Sequence, residues 1–171
     1  PLLYANTAAY TAGATQKDIP YVMNLTMLQM FGEFGGSGVT IGLVIAILAF
    51  SKREDNRTIA GISIVPGLFN INETVTFGIP LVLNPILDIP FILAPVATLV
   101  VGYILVSTGF CPHIVLEVPW TMPPLFLGFL ATGGKLMGAV SQLICIALST
   151  VIYLPFLIAY EKYQAKQADA E

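Results

Sequence analysis

Charge is scarce in this chain: lysine, arginine, aspartate and glutamate make up 10% of its 171 residues, against about 25% in an ordinary soluble domain. So few ionic groups cannot clothe a globule in water. Ten acids outnumber seven bases and no basic stripe is present, which excludes nucleic acid as a partner. Two cysteines in apolar settings cannot staple a chain of this length, so a disulfide scaffold is excluded as well. The single histidine, His113, has no thiol pair or carboxylate cluster near it, so neither a metal site nor a cofactor is expected. No catalytic triad can be assembled, and self-contained enzyme chemistry is not expected. What the chain has is apolar residues, 56% of the total, with a mean hydropathy of +0.83. That composition excludes disorder and leaves an integral membrane protein.

A spanning helix needs about 20 mostly apolar residues. Residues 91–110 carry no charge, and residues 136–160 run uncharged for 25 positions. A third window, 36–50, is shorter and extends upstream through 28–35, where Glu33 interrupts it. Two further apolar stretches are broken by proline and glycine, which end or kink helices. Residues 59–87 contain Pro66-Gly67 and Gly78-Ile79-Pro80, with Asn70, Asn72, Glu73 and Thr74 between them. Residues 118–134 contain Pro119, Pro123 and Pro124, then Gly133-Gly134. Apolar pieces of about 10–14 residues are re-entrant or interfacial more often than spanning. The expected fold is therefore an all-α integral membrane unit with transmembrane helices and two re-entrant helical hairpins, at 59–87 and 118–134.

The basic residues orient it. Lys52, Arg53 and Arg57 follow the first span, and Lys162 and Lys166 follow the last. Both ends are expected on the cytoplasmic side of a cell membrane, with lone Lys135 on the other. Residues 1–35 form a lead-in with a partial helix, 36–163 the transmembrane substrate-binding unit and 164–171 a cytoplasmic tail. The opening PLLYANTAAY has neither an initiator methionine nor a signal segment, and is expected to be the interior of a longer protein. Two hairpins dipping from opposite faces suit a transporter, whose discontinuous helices meet substrate near the midplane.

Glu73 is the leading candidate within that pathway. An acid at mid-bilayer costs at least about 2.5–3.5 kcal/mol on insertion scales, so it lines a cavity or pairs. Beside Asn72 it offers several acceptors to a sugar or polyol; the alternative is a helix cap or an ion pair. Trp120, the sole tryptophan, offers an indole face for a pyranose ring or serves as an interfacial belt residue. Gly36 and Ser37, in the run Gly35-Gly36-Ser37-Gly38, present backbone N–H groups to a ligand, or the glycines at 38, 42, 134 and 138 let helices pack closely. Asn84 and Asp88, each near a proline, shape turns and cap the next helix. Cys111 and Cys145 lack activating neighbours and are fillers.

The stretches GGSGVTIGLVIAILAF, PGLFNINETVTFGIPLVLNPILDIPFILAP, VPWTMPPLFLGFLATGG and YLPFLIAYEKY resemble the membrane permease (IIC) component of the bacterial phosphotransferase system, in its lactose/cellobiose (diacetylchitobiose) branch. The likeness covers nearly the whole chain. It implies import of a β-linked disaccharide or β-glucoside that is phosphorylated by a phosphorylated IIB partner, and that these residues are the C-terminal, substrate-binding part of a longer full permease that is a homodimer. It places the family's hairpin glutamate, which would orient and help deprotonate the sugar hydroxyl, on Glu73, next to Asn72. The tryptophan of the second hairpin falls on Trp120. The family usually has proline after that glutamate, where this chain has Thr74. Its substrate-contacting histidine would lie ahead of Pro1 and is not His113. An ion-coupled secondary sugar transporter, with Glu73 carrying a proton or sodium, remains the alternative at this point.

Overall fold

A computed structural model describes residues 1–81 and 84–168. Residues 82–83 of the first hairpin and 169–171 of the tail lie outside the described residues. Among the described residues the fold is all helical. The helices are α1 (Leu2–Thr11), α2 (Leu25–Gly32), α3 (Ile41–Phe50), α4 (Glu54–Leu68), α5 (Glu73–Gly78), α6 (Asp88–Ser107), α7 (Phe126–Ala131) and α8 (Leu136–Ala168), with a single 3₁₀ turn at Ser37–Val39 before α3.

Two helices are long and apolar enough to cross a membrane, α6 and α8. The expected span at 91–110 starts and ends three residues earlier. Pro90 falls in its first turn, where the missing N–H costs no helical bond, and Asn84 accepts the orphan N–H groups of Ile86 (3.0 Å) and Leu87 (3.2 Å) ahead of it. The buried positions of α6 are Pro90, Ala94, Thr98, Gly102 and Val106, spaced by four, while Ile92, Val96, Val100 and Ile104 are exposed. This inverts a water-soluble helix: the small residues face protein and the large aliphatics face outward, as helices packed within lipid require. At Gly102 a Cβ would lie 2.4 Å from the Phe31 ring, so α2 approaches α6 over bare backbone.

The third expected span is broken. Leu25–Val39 and Ile41–Phe50 would together cross, but they are bent by 59° at Thr40, directly after the glycine run. The turn there is not the start of a straight span; it is a joint within one. Helix α8 closes that joint from the side. Ser149 Oγ donates to Val39 O (2.9 Å) and Tyr153 OH to Gly38 O (2.7 Å). Gly42 packs against Ser149, where a Cβ would fall 2.1 Å from its Oγ. The close-packing reading of the glycines thus holds at Gly42, and at Gly138, whose Cβ would lie 2.2 Å from Gly128 O.

Both hairpins differ in detail from expectation. Helix α4 runs through Pro66 rather than stopping there, and its last turn closes on the Pro66 carbonyl, which accepts from Phe69 N (2.9 Å) and Ile71 N (3.0 Å). The lost donor of Pro66 costs little so near a helix end. The second hairpin has one helical arm only. Residues 112–125 descend without helix, held by Thr7 Oγ1 to Val115 O (2.6 Å) and by Asn6 Nδ2 to Ile114 O (3.0 Å), and α7 rises from them. Prolines at 119, 123 and 124 forbid a helical descent. Gln142 of α8 caps the short helix: its Oε1 accepts from Leu125 N (2.7 Å) and Gly128 N (3.1 Å), and its Nε2 donates to Met30 O (3.0 Å).

At one end of the bundle the chain after α3 meets the end of α8, where Glu161 accepts from Ser51 Oγ and from Asn56 Nδ2 (3.2 Å). The two basic segments therefore share one end, and Lys135 sits at the opposite end of α8. Replacing Gln142 by leucine keeps the volume but strips the partner from three backbone groups, two of them buried, at about 1–3 kcal/mol for each buried one. Thermal unfolding in detergent is expected to show Gln142→Leu as the most destabilising conservative change on α8; an unaltered melting temperature would remove the residue from this role.

Candidate functional site

The tip of the first hairpin is built by Asn70. Its backbone is left-handed, with φ of 62°, a conformation asparagine accepts more readily than most residues. That turn aims a buried side-chain amide at two other parts of the chain. Oδ1 accepts from Gly35 N (2.6 Å), and Nδ2 donates to Trp120 O and to Met122 O (3.3 Å). One side chain thereby joins the first hairpin, the joint of the broken span and the tip of the second hairpin.

Asn72 adds a second tie. Its Nδ2 donates to Ser37 O (2.8 Å) and to Thr40 Oγ1 (3.1 Å), and Thr40 in turn donates to Gly35 O (2.6 Å). Gly36 has φ of 89°, and a Cβ on it would lie 2.5 Å from Asn72 Cγ. Glycine is required there on both counts.

Depth follows from α8. Ser149 and Tyr153, which grip this joint, lie 12 and 8 residues before Glu161, or about 12–18 Å along a helix rising 1.5 Å per residue. Glu161 marks the polar end of the span. The clasp therefore sits near the middle of a hydrocarbon layer roughly 30 Å thick.

Beside it is a cavity of about 120 Å³ lined by Gln29, Glu33, Gly36, Ser37, Asn70 and Trp120. Of the residues singled out from sequence, Gly36, Ser37 and Trp120 line this space. Asn72 is next to it, with its amide engaged by the joint. Glu73 is exposed in the first turn of α5 and is not among the lining residues. Three lining residues were not foreseen. Glu33 is an acid within an apolar stretch beside a glycine run, so the reasoning applied to Glu73 picks it out equally. Asn70 belongs to the polar cluster, and its position at a turn after Pro66-Gly67 was the available signal. Gln29 carries no signal in sequence.

Such a lining suits a polyhydroxylated ligand: an indole face, an ionisable carboxylate, a side-chain amide and a hydroxyl converge on one space. Two other groups take no part. Burial pushes the Cys111 thiol up to about 11, which makes it a poor nucleophile. Burial also holds the His113 imidazole below its usual range, so it is neutral at pH 7. His113 is fixed by its backbone N–H, which donates to Gln16 Oε1 (2.7 Å).

Residues 2–95 match the family model described as "Phosphotransferase system, EIIC". The lichenan permease IIC component of Bacillus subtilis (strain 168) is 40% identical over 164 residues, covering 95% of this chain and 36% of that protein. The cellobiose-specific EIIC component of Lactococcus lactis subsp. lactis (strain IL1403) is 42% identical over 139 residues, covering 81% of this chain and 28% of that protein. Among solved structures, the transporter ChbC, the IIC component of an N,N'-diacetylchitobiose-specific phosphotransferase system, superposes with a TM-score of 0.92 at 40% identity, over 99% of this chain and 39% of that one. The chain thus spans about a third of the length of these relatives.

Asn70→Gly keeps the left-handed turn and deletes the clasp. Hydrogen exchange is expected to quicken at the Gly35 amide, and the fluorescence of Trp120, the sole tryptophan, to shift red. Unchanged exchange and emission would show that the hairpins hold together without Asn70.

Proposed function

This chain belongs to the phosphotransferase-system EIIC family of membrane permeases, and from that premise we propose that it forms the sugar-binding part of a permease importing a β-linked disaccharide or β-glucoside. The observation that carries this reading is the clasp of two hairpins around a polar cavity walled by Trp120, at mid-membrane depth. The lichenan and cellobiose of its relatives' names are consistent with that class. A cavity of about 120 Å³ is below the roughly 300–1,000 Å³ of a complete ligand site. It serves as the subsite for one ring edge, and the remaining walls come from parts of the permease outside these residues.

In this proposal Trp120 stacks on the apolar face of a ring and Gly36 and Ser37 meet hydroxyls at the joint. Asn72 keeps that joint in place and stands beside Glu73. Glu73 orients the hydroxyl that is to receive phosphate and accepts its proton as phosphate arrives, which requires positioning first and a suitable pKa second. The donor is a phosphorylated IIB component. Cys111 and Cys145 are both buried and take no part in the transfer. The full permease works as a homodimer, with both basic segments and the C-terminus on the cytoplasmic side; their meeting at one end of the bundle supports that orientation.

Equilibrium binding of cellobiose to the detergent-solubilised full-length permease tests the site. Glu73→Gln is expected to weaken binding at least tenfold, about 1.4 kcal/mol, with an unchanged melting temperature. Equal binding by both proteins would reduce Glu73 to a structural residue. In membrane vesicles, accumulation of phosphorylated sugar that depends on the phosphorylated partner supports the proposed reaction. Accumulation of free sugar that collapses with the proton or sodium gradient would replace it with ion-coupled transport.

A further inference from the structure

Where α3 and α8 leave the apolar layer, a cavity of about 530 Å³ opens between Phe50, Lys52 and Arg53 on one side and α8 on the other. Its two halves differ in chemistry. Leu154, Ile158 and Phe50 supply an apolar floor, and Ile158 and Phe50 are exposed at 47% and 58%. At the rim stand three cations, Lys52, Arg53 and Lys162, against one acid, Glu161. That acid is already engaged, accepting from Ser51 and Asn56. Among the described residues Arg53 has an ion pair only with Asp55, at 3.6 Å, and the Asp55 side chain is 83% exposed, so the pair is weak. Among the same residues the Arg53 Nε is buried with no hydrogen-bond partner. A buried guanidinium N–H without an acceptor costs free energy until an anion meets it.

We propose that this cavity binds one anionic phospholipid, with its phosphate between Lys52, Arg53 and Lys162 and an acyl chain along Leu154 and Ile158. The apolar floor argues for a lipid and against free phosphate, because a bare anion would leave that surface uncovered. The depth argues likewise. Lys52 and Lys162 each fall within two residues of the last uncharged position of their span, the level of a bilayer's headgroups, where basic pockets hold anionic lipid. The site lies at the end of the bundle, apart from the clasp, and stands whatever sugar the permease takes. Its consequence is mechanical: a lipid seated there ties the end of α3 to α8 and stiffens one arm of the broken span.

Native mass spectrometry of the full-length protein in mixed micelles of phosphatidylglycerol and phosphatidylcholine, at equal amounts, tests this. The wild type is expected to retain phosphatidylglycerol about tenfold over phosphatidylcholine. The variant Lys52→Gln/Lys162→Gln changes two exposed side chains outside the hydrogen-bond network of the bundle, and should lose the preference at an unaltered melting temperature. Added inorganic phosphate should leave the bound lipid in place. Equal retention of the two lipids by the wild type would overturn the proposal. So would a preference that survives in the variant, or displacement of the lipid by inorganic phosphate, which would make the site one for a free anion.

Discussion

The structure depends on one constraint: a backbone that breaks its helices at membrane depth must find partners for every exposed N–H and C=O. The Asn70 amide meets that requirement for three backbone groups in two other segments at once. An unpaired buried group costs about 1–3 kcal/mol, more than the roughly 0.5–1.5 kcal/mol a made hydrogen bond returns. The chain therefore gains little from the clasp in itself and avoids much by having it. Asparagine suits the position doubly, because it tolerates the left-handed turn and carries both a donor and an acceptor.

The same logic runs along α8. Gln142, Ser149 and Tyr153 are all buried, and each meets a backbone group that a break has freed. A long, apolar helix thus serves as a polar strut for two irregular neighbours. Because Asn70 joins the first hairpin to the joint and to the second hairpin, and Gln142 joins the second hairpin to α2, none of these parts can shift without breaking a buried bond. The hairpins are coupled, and any motion that opens a path past them must carry them together or break the clasp.

How much of this was legible in the sequence follows from which signals are local. The membrane fold class, the spans at α6 and α8 and the existence of two broken apolar stretches are written in composition, length and proline placement. The bend between α2 and α3 was not. A glycine run reads equally as a helix start or as a joint, and only the cross-chain bonds from Asn70, Asn72 and Tyr153 decide it. The non-helical course of 118–125 was legible from its prolines, although the hairpin at 118–134 reads in sequence as helical. Gln142 was invisible, since a glutamine in an apolar span names neither of the segments, 112 and 14 residues away at the furthest and nearest, whose groups it pairs. Glu33 reads in sequence as an interruption of a span, yet the cost argument that selects Glu73 applies to it unchanged.

The polar residues of the hairpin tip divide by what they are already doing. The Asn70 amide makes three hydrogen bonds and the Asn72 amide two, all of them to other segments of the chain. Both asparagines hold the tip in shape, and a ligand competing for their donors would loosen it. Glu73 is different. It occupies the first turn of α5, where the helix dipole favours a carboxylate, and among the described residues its side chain makes no hydrogen bond or ion pair. An acceptor in that turn, beside asparagine donors that are already engaged, can take up a ligand's hydroxyl without dismantling anything. That asymmetry, rather than the charge alone, is what favours Glu73 over its asparagine neighbours for the proposed chemistry.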